Sequence, residues 1–304
     1  MEAEHYFPSP SLCSTRWWSK ETVAVVTGGN KGIGYALVKQ FAELGLSVVL
    51  TARDYHKGQA ALQALEAHGL ANHLHFLLLD VSDPLSIKHF ASSFQAKFGP
   101  TLDILVNNAG VSFNELDGNT VEYAKTVMDT NFYGPKLLIE ALLPLFRCSS
   151  SSSSSVSRVL NISSRLGSLH KLRNKKMREM LERGELGEEE IEGMVKRFLG
   201  DVKSGRWENE GWPLQWTDYA VSKLALNAYS RQLAKKQTRL SVNCFCPGFT
   251  KTAMTRGKGA HTADHAAALA ATLALLPPSH LPTGRFFLLS RNTITTTTTI
   301  TSKL

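Results

Sequence analysis

Tyr219 and Lys223 stand four residues apart in a helix-forming stretch, so both project from one helical face. A tyrosine titrates near 10, too high for acid–base work at neutral pH, and a neighbouring ammonium lowers it by favouring phenolate. Ser164, the last residue of Asn161-Ile162-Ser163-Ser164, carries a hydroxyl that can bond a carbonyl oxygen and steady the charge that develops as hydride reaches carbon. Asn131, in Thr130-Asn131-Phe132-Tyr133-Gly134, could hold a water linking Lys223 to solvent. A tyrosine and a lysine at this spacing are common on helices, so the pair gains meaning only from the elements that carry it.

Those elements begin with Val23–Val26, short, apolar and β-branched as a buried strand is, followed by Thr27-Gly28-Gly29-Asn30-Lys31-Gly32-Ile33-Gly34. Ile33, Leu37, Phe41 and Leu44 then recur at helical spacing, which puts the glycines at a helix start whose N–H groups point outward. Glycine lets backbone approach a pyrophosphate there, and the positive helix end stabilises it, so the expected ligand is a dinucleotide. Further strands are expected at 47–51, 74–79, 102–106, Ser157–Ile162, Leu240–Cys246 and 285–289, with helices at 84–98, 121–146 and 219–237. Strands alternating with helices predict an α/β fold: a single doubly wound parallel-sheet (Rossmann-like) domain over residues 21–290. Both Ser164 and Tyr219 fall at or beyond the carboxyl ends of strands, where such sheets bind ligands.

A charged block at about 166–216 interrupts the alternation. Met177, Met180 and Leu181, then Ile191, Met194, Val195 and Phe198, keep amphipathic spacing and predict two short helices that must pack on something. An inserted flap over the substrate side is expected, a solvated appendage being the alternative. Residues 1–20 are expected to be a flexible leader whose Trp17-Trp18 pair covers the sheet edge, 149–155 a serine loop, and 291–304 a Thr-rich tail.

A length of 304 residues fits one large α/β domain or two small ones, 43% hydrophobic content is enough for a sizeable core, and no apolar stretch is long enough to span a membrane. The net charge of +8 is scattered and lacks the aromatic-rich motifs of nucleic-acid binders, so a polyanionic cofactor is the expected partner rather than nucleic acid. Cys13, Cys148, Cys244 and Cys246 show neither disulfide nor metal spacing, so no metal is expected.

As an ordered set, residues 27–34, Asp80-Val81, residues 107–110, Asn131, Ser164, Tyr219, Lys223 and Pro247-Gly248 resemble the short-chain dehydrogenase/reductase family over about residues 22–287. The insert ending near Glu210-Gly211-Trp212-Pro213 is similar to the carbonyl-reductase branch, and residues 221–231 to its plant menthone/neomenthol and salutaridine reductase-like members. The resemblance implies Tyr219 as general acid, Lys223 lowering its pKa and binding the nicotinamide ribose, Ser164 orienting the substrate oxygen and Asn131 supporting a proton relay. It implies cofactor contacts from Gly28, Asn30, Lys31, Gly32, Ile33 and Gly34, from Asp80 and Val81 at the adenine, from Asn108 and Ala109, and from Pro247, Gly248, Thr250 and Thr252 near the nicotinamide. Arg53, at the end of the second strand, and Lys31 would face a 2′-phosphate and favour NADPH. Some plant relatives that reduce C=C bonds carry glutamate in place of the tyrosine, so Tyr219 implies carbonyl chemistry. The expected activity is NADPH-dependent, reversible reduction of the ketone or aldehyde of a hydrophobic small molecule; the alternative is a non-catalytic dinucleotide-binding regulatory or scaffold protein. The insert implies a monomer. A terminal Ser302-Lys303-Leu304 is an address read by the peroxisomal import receptor, so a peroxisomal location is expected, with the cytoplasm as alternative.

Overall fold

Apolar runs too short to be helices pair side by side because each leaves its backbone groups unsatisfied until a neighbour supplies the ladder. In the computed structural model, residues 16–113, 120–147, 156–183, 185–289 and the backbone of 300–302 are described. The strands are β1 (Val23–Val26), β2 (Ser47–Ala52), β3 (Leu74–Leu78), β4 (Leu102–Asn107), β5 (Ser157–Ile162), β6 (Leu240–Cys246) and β7 (Phe286–Leu289), with a short β8 (Ile300–Ser302). They form one sheet in the order β3-β2-β1-β4-β5-β6-β7-β8. Neighbouring pairs from β3 through β7 are parallel, as β1 with β4 (Val25 beside Leu105) and β5 with β6 (Asn161 beside Cys244) illustrate. β8 lies antiparallel on β7, so the threonine-rich segment ends as an edge strand containing Ser302, while Lys303 and Leu304 lie outside the described residues.

Helices α1 (Gly32–Glu43), α2 (Tyr55–Leu65), α3 (Pro84–Phe98), α4 (Val121–Met128), α5 (Gly134–Leu142), α6 (Lys175–Glu182), α7 (Glu188–Lys203), α8 (Thr217–Lys236) and α9 (Ala263–Ala274) complete the set. One face of the sheet packs on α1 and α9 through residues such as Val26, Leu37, Phe41 and Ala270, the other on α3, α4, α5 and α8 through Phe94, Met128, Leu138 and Leu224. Strand order reverses between β1 and β4, which opens a crevice at their carboxyl ends.

Three expectations are corrected. The helix expected over 121–146 is broken by a wider π-type turn at Asp129–Tyr133, after which Pro135, with no N–H to give, begins α5. The insert does form two helices, α6 and α7, but their apolar residues Met177, Leu181, Ile191, Val195 and Phe198 join the core with α4, α5 and α8 rather than cover the substrate side. Lys136 of α5 locks it there, its ammonium meeting Glu140 at 2.8 Å, Glu188 at 2.7 Å and Glu192 at 3.3 Å. Residues 16–20 of the leader are also packed onto the body. Trp18 is buried and gives its indole N–H to the Leu44 carbonyl (3.2 Å), which also receives Arg16 Nη2 (3.0 Å). Trp17 gives its N–H to the Leu275 carbonyl (3.1 Å) and stacks on the Arg158 guanidinium (3.7 Å), which itself bonds the Ala274 carbonyl (2.6 Å). The tryptophans therefore cap the carboxyl ends of α1 and α9, where helix carbonyls lack partners. Trp18→Ala should lower stability by about 3 kcal/mol, a fall in Tm of about 6–10 °C. A calorimetric shift under about 2 °C would contradict the capping account. Cys13, Cys148, the serine loop at 149–155 and residue 114 lie outside the described residues.

Candidate active site

The crevice is built by the loops that leave β1 and β4. After β1 the chain turns through Gly28 (φ 62°) and Gly32 (φ 57°), conformations glycine adopts without strain, and enters α1 from Lys31. Lys31 offers no side-chain cap, so the first-turn N–H groups keep no side-chain acceptor. The β4 loop is fastened to this turn. Thr27 Oγ1 accepts the N–H groups of Asn108 and Ala109, both at 2.9 Å, and Asn108 Nδ2 donates to the carbonyls of Thr27 (2.9 Å) and Gly28 (3.2 Å). A Cβ on Gly34 would lie 2.3 Å from the Gly28 carbonyl oxygen and 2.4 Å from Asn108 Nδ2, so only glycine closes the cradle.

The cradle fits the phosphates of a dinucleotide: outward N–H groups at a helix start, backed by cations. Arg53, at the end of β2, and Lys31 are both exposed and make no hydrogen bond or ion pair among the described residues. Asp54 beside Arg53 is engaged elsewhere. It caps α2 by accepting the Lys57 N–H (3.0 Å), the bond that chiefly holds its carboxyl below the usual range. Asn30, Gly32 and Ile33 are half-buried in the turn. On the β3 side, Asp80 Oδ1 accepts the Ser82 N–H (2.9 Å) and hydroxyl (2.6 Å), and Val81 is buried against the backbone of Gly134. In the loop after β6, Pro247 and Gly248 precede Thr250, whose hydroxyl is turned onto the Pro247 carbonyl (3.0 Å); the Thr252 methyl sits 3.5 Å from where a Cβ on Gly32 would be.

α8 supplies the reactive pair. The Lys223 ammonium is buried, donates to the Ile162 carbonyl (2.9 Å) and lies 5.5 Å from the centre of the Tyr219 ring. Trp216 stands edge-on to the same ring, at 6.1 Å. Ser164 follows β5, and its Oγ accepts the Leu166 N–H (3.1 Å). That leaves the Ser164 hydroxyl hydrogen, like the Tyr219 hydroxyl, without a partner among the described residues. The turn after Ser164 is pinned to α8: Ser163 Oγ donates to Asn227 Oδ1 (2.6 Å), Asn227 Nδ2 donates to the Gly167 carbonyl (3.1 Å), and a Cβ on Gly167 would meet the Lys223 backbone at 2.5 Å. Asn131 sits in the π-type turn facing Tyr219's helix. Its amide donates to the Val111 carbonyl (2.9 Å) and to Ser222 Oγ (3.1 Å), while its Oδ1 accepts the Val111 N–H (2.9 Å). Both amide hydrogens are therefore used, so a relay water at Asn131 could not be held by its side-chain N–H groups.

The electrostatics depart from expectation. Burial, together with the field of the Cys246 thiol, pushes the Tyr219 phenol above its ordinary value, so the neighbouring ammonium does not dominate it. Burial likewise pushes Lys223 down to about 8. Its charge is thus weakly held near neutrality, and any anion or hydroxyl brought beside it would strengthen that charge.

The structure groups Ser164, Tyr219, Lys223 and Asn131 around the start of α8, and the glycine turn, Asn108, Ala109 and Thr252 around the β1–β4 crevice. Asp80 and Arg53 line its outer end on β3 and β2. Sequence reasoning did not single out Ser222, Asn227 or Trp216, although Ser222 and Trp216 each lie three residues from Tyr219, and Asn227 four beyond Lys223, on the helical spacing that identified the pair. No group of three or more potential metal ligands occurs among the described residues.

The family model described as short chain dehydrogenase matches residues 22–174. The chain is 37% identical over 286 residues to (+)-neomenthol dehydrogenase of Arabidopsis thaliana, covering 87% of this chain and 95% of the relative. It is 36% identical over 275 residues to carbonyl reductase [NADPH] 1 of Homo sapiens, covering 87% and 95%. The solved structure of salutaridine reductase from Papaver somniferum superposes with a TM-score of 0.81 at 37% identity, covering 87% of this chain and 99% of that one.

Proposed function

The chain belongs to the short-chain dehydrogenase family, and from that premise we propose that it is an NADPH-dependent reductase that carries hydride to the carbonyl carbon of a hydrophobic small molecule, and that runs in reverse as an alcohol dehydrogenase. The observation that carries this reading is the gathering at the carboxyl end of the sheet of a phenol and a serine hydroxyl, both without partners among the described residues, with a buried lysine beside the phenol. A non-catalytic binding role has no observation in its favour.

The dinucleotide supplies the hydride; every other requirement falls on the chain. Ser164 takes the Leu166 N–H on its oxygen and so presents its own hydrogen to the substrate oxygen, where negative charge grows. Tyr219 gives the phenolic proton to that oxygen and becomes phenolate, which the Lys223 ammonium stabilises from below the ring. Ile162, by accepting from Lys223, fixes where that charge sits. Asn131 and Ser222 hold the π-type turn against α8, so Asn131 acts on the relay through position. The glycine turn with Asn30, Lys31 and Ile33, the pair Asn108 and Ala109, Asp80 and Val81, and Pro247, Gly248, Thr250 and Thr252 are the proposed cofactor contacts.

Lys31 and Arg53 are the proposed 2′-phosphate ligands. A charge-assisted bond of about 1.5–3 kcal/mol makes Arg53→Ala weaken NADPH by about 10- to 100-fold, with NADH affinity changed less than about three-fold. Equal losses for both dinucleotides, in a fluorescence titration, would refute the contact. An assay of NADPH oxidation against a panel of ketones and aldehydes tests the activity itself.

Residues 21–290 are read as one domain with an inserted pair of helices. Because α6 and α7 cover the outer faces of α4, α5 and α8, a monomer is favoured, which sedimentation checks. Ser302-Lys303-Leu304 supports import into the peroxisome, with the cytoplasm as the alternative. A fluorescent fusion placed ahead of residue 1 should lose punctate staining when the last three residues are removed.

A further inference from the structure

We infer that Trp216 is a specificity-determining residue, whose indole forms the wall of the substrate site beside Tyr219 and selects flat apolar ring ketones over open-chain carbonyls; this rests on the reductase reading above. Among the described residues only Trp216 (φ 55°) and Arg256 (φ 50°) are non-glycines with left-handed backbone. For a bulky side chain that conformation is an outlier, and such strain persists where the surroundings or the function require it. The backbone role of Trp216 needs no large side chain. It starts α8 by taking the Ala220 N–H on its carbonyl (2.6 Å), which glycine would do without strain.

The side chain is placed for a ligand rather than for the core. Its ring meets the Tyr219 ring at 79° and 6.1 Å, yet remains partly open to solvent. Tyr219 and Lys223 share one face of α8, with the ammonium buried, and Trp216, the residue before the first turn, sets its ring against the phenol ring. Leu214, two residues earlier, is 61% exposed, and Phe249 and Met254, on the loop that leaves the carboxyl end of β6, are 40% and 41% exposed. A broad aromatic face beside the phenol, with exposed apolar groups on the neighbouring segments of the chain, suits a flat ring, which gains area and stacking that a short chain cannot.

The test uses the full-length protein as Trp216→Gly and Trp216→Phe, with 1-tetralone and 2-hexanone as substrates, melting temperature, and equilibrium dialysis of 1-tetralone in the presence of NADP+. Trp216→Gly should raise KM and the dissociation constant for 1-tetralone by about 10-fold or more, and lower the ratio of kcat/KM for 1-tetralone to that for 2-hexanone by a similar factor. Trp216→Phe should recover most of the loss. The melting temperature of the glycine variant should stay within about 3 °C of the parent or rise, because the left-handed strain is relieved. Equal losses for both ketones, or unchanged 1-tetralone affinity, would overturn the inference. If the parent enzyme turns over neither ketone, the reductase reading fails for them, while dialysis still decides: absence of 1-tetralone binding by the parent, or retention of it by Trp216→Gly, overturns the role of Trp216.

Discussion

The Tyr219→Phe enzyme is expected to bind NADPH within about three-fold of the parent and to lose about three orders of magnitude in kcat, the scale of removing a positioned general acid. The contrast follows from what the substitution leaves alone. The ring keeps its contacts with the Lys223 ammonium at 5.5 Å and Trp216 at 6.1 Å, and only the hydroxyl disappears. That hydroxyl has no hydrogen bond among the described residues, so its removal leaves no partner stranded, and the melting temperature should be unchanged or slightly higher. A loss of turnover therefore cannot be blamed on misfolding. If more than about a tenth of kcat survives, proton donation must come from elsewhere and the mechanism is wrong, whatever the enzyme class.

Gly34→Ala should be nearly as damaging by a different route. The added carbon would lie 2.3 Å from the Gly28 carbonyl oxygen and 2.4 Å from Asn108 Nδ2, and a backbone oxygen cannot step aside as a flexible side chain can. Relief requires prising the β1 and β4 loops apart, which breaks the bonds between Asn108 and the carbonyls of Thr27 and Gly28. The expected result is about 1–3 kcal/mol of lost stability and an NADPH dissociation constant raised by about 100-fold. Gly32→Ala is the internal control for stability: among protein atoms its nearest neighbour would be the Thr252 methyl at 3.5 Å, so the fold bears only the cost of its positive φ, about 1 kcal/mol. Wild-type affinity in Gly34→Ala, measured by titration, would show that the cradle does not depend on that close approach.

The reactive set could be read from the chain because each member lies within a few residues of a strand end or on one helical turn, distances that local periodicity fixes. Tyr219 with Lys223, and Ser164 after Ser157–Ile162, are of this kind, and so is the parallel order of β1 to β7. What escaped depends on long-range packing. Whether α6 and α7 lie over the substrate or against α4, α5 and α8 is decided by which apolar face is left uncovered, and by the meeting of Lys136 with glutamates some fifty residues away, which no local pattern encodes. The interruption at Asp129–Tyr133 was hidden because the flanking segments are both strongly amphipathic, and the wider turn between them only becomes favourable once Asn131 finds Val111 and Ser222. The balance of burial against charge at Tyr219 was hidden for the same reason. Spacing reveals a neighbouring amine but not how completely both groups are withdrawn from water.

The tryptophan-capped helix ends also set a boundary for anyone producing a trimmed form. A purification tag fused ahead of residue 1 leaves the Arg16, Trp17 and Trp18 bonds to Leu44 and Leu275 intact, whereas a start site after Trp18 strips them all while leaving every group near Tyr219 in place. Such a preparation would show ordinary chemistry when cold and early heat inactivation, a combination easily mistaken for a poor batch. The shortest sensible start is therefore ahead of Arg16, and N-terminal mass should be verified before any variant's heat resistance is compared.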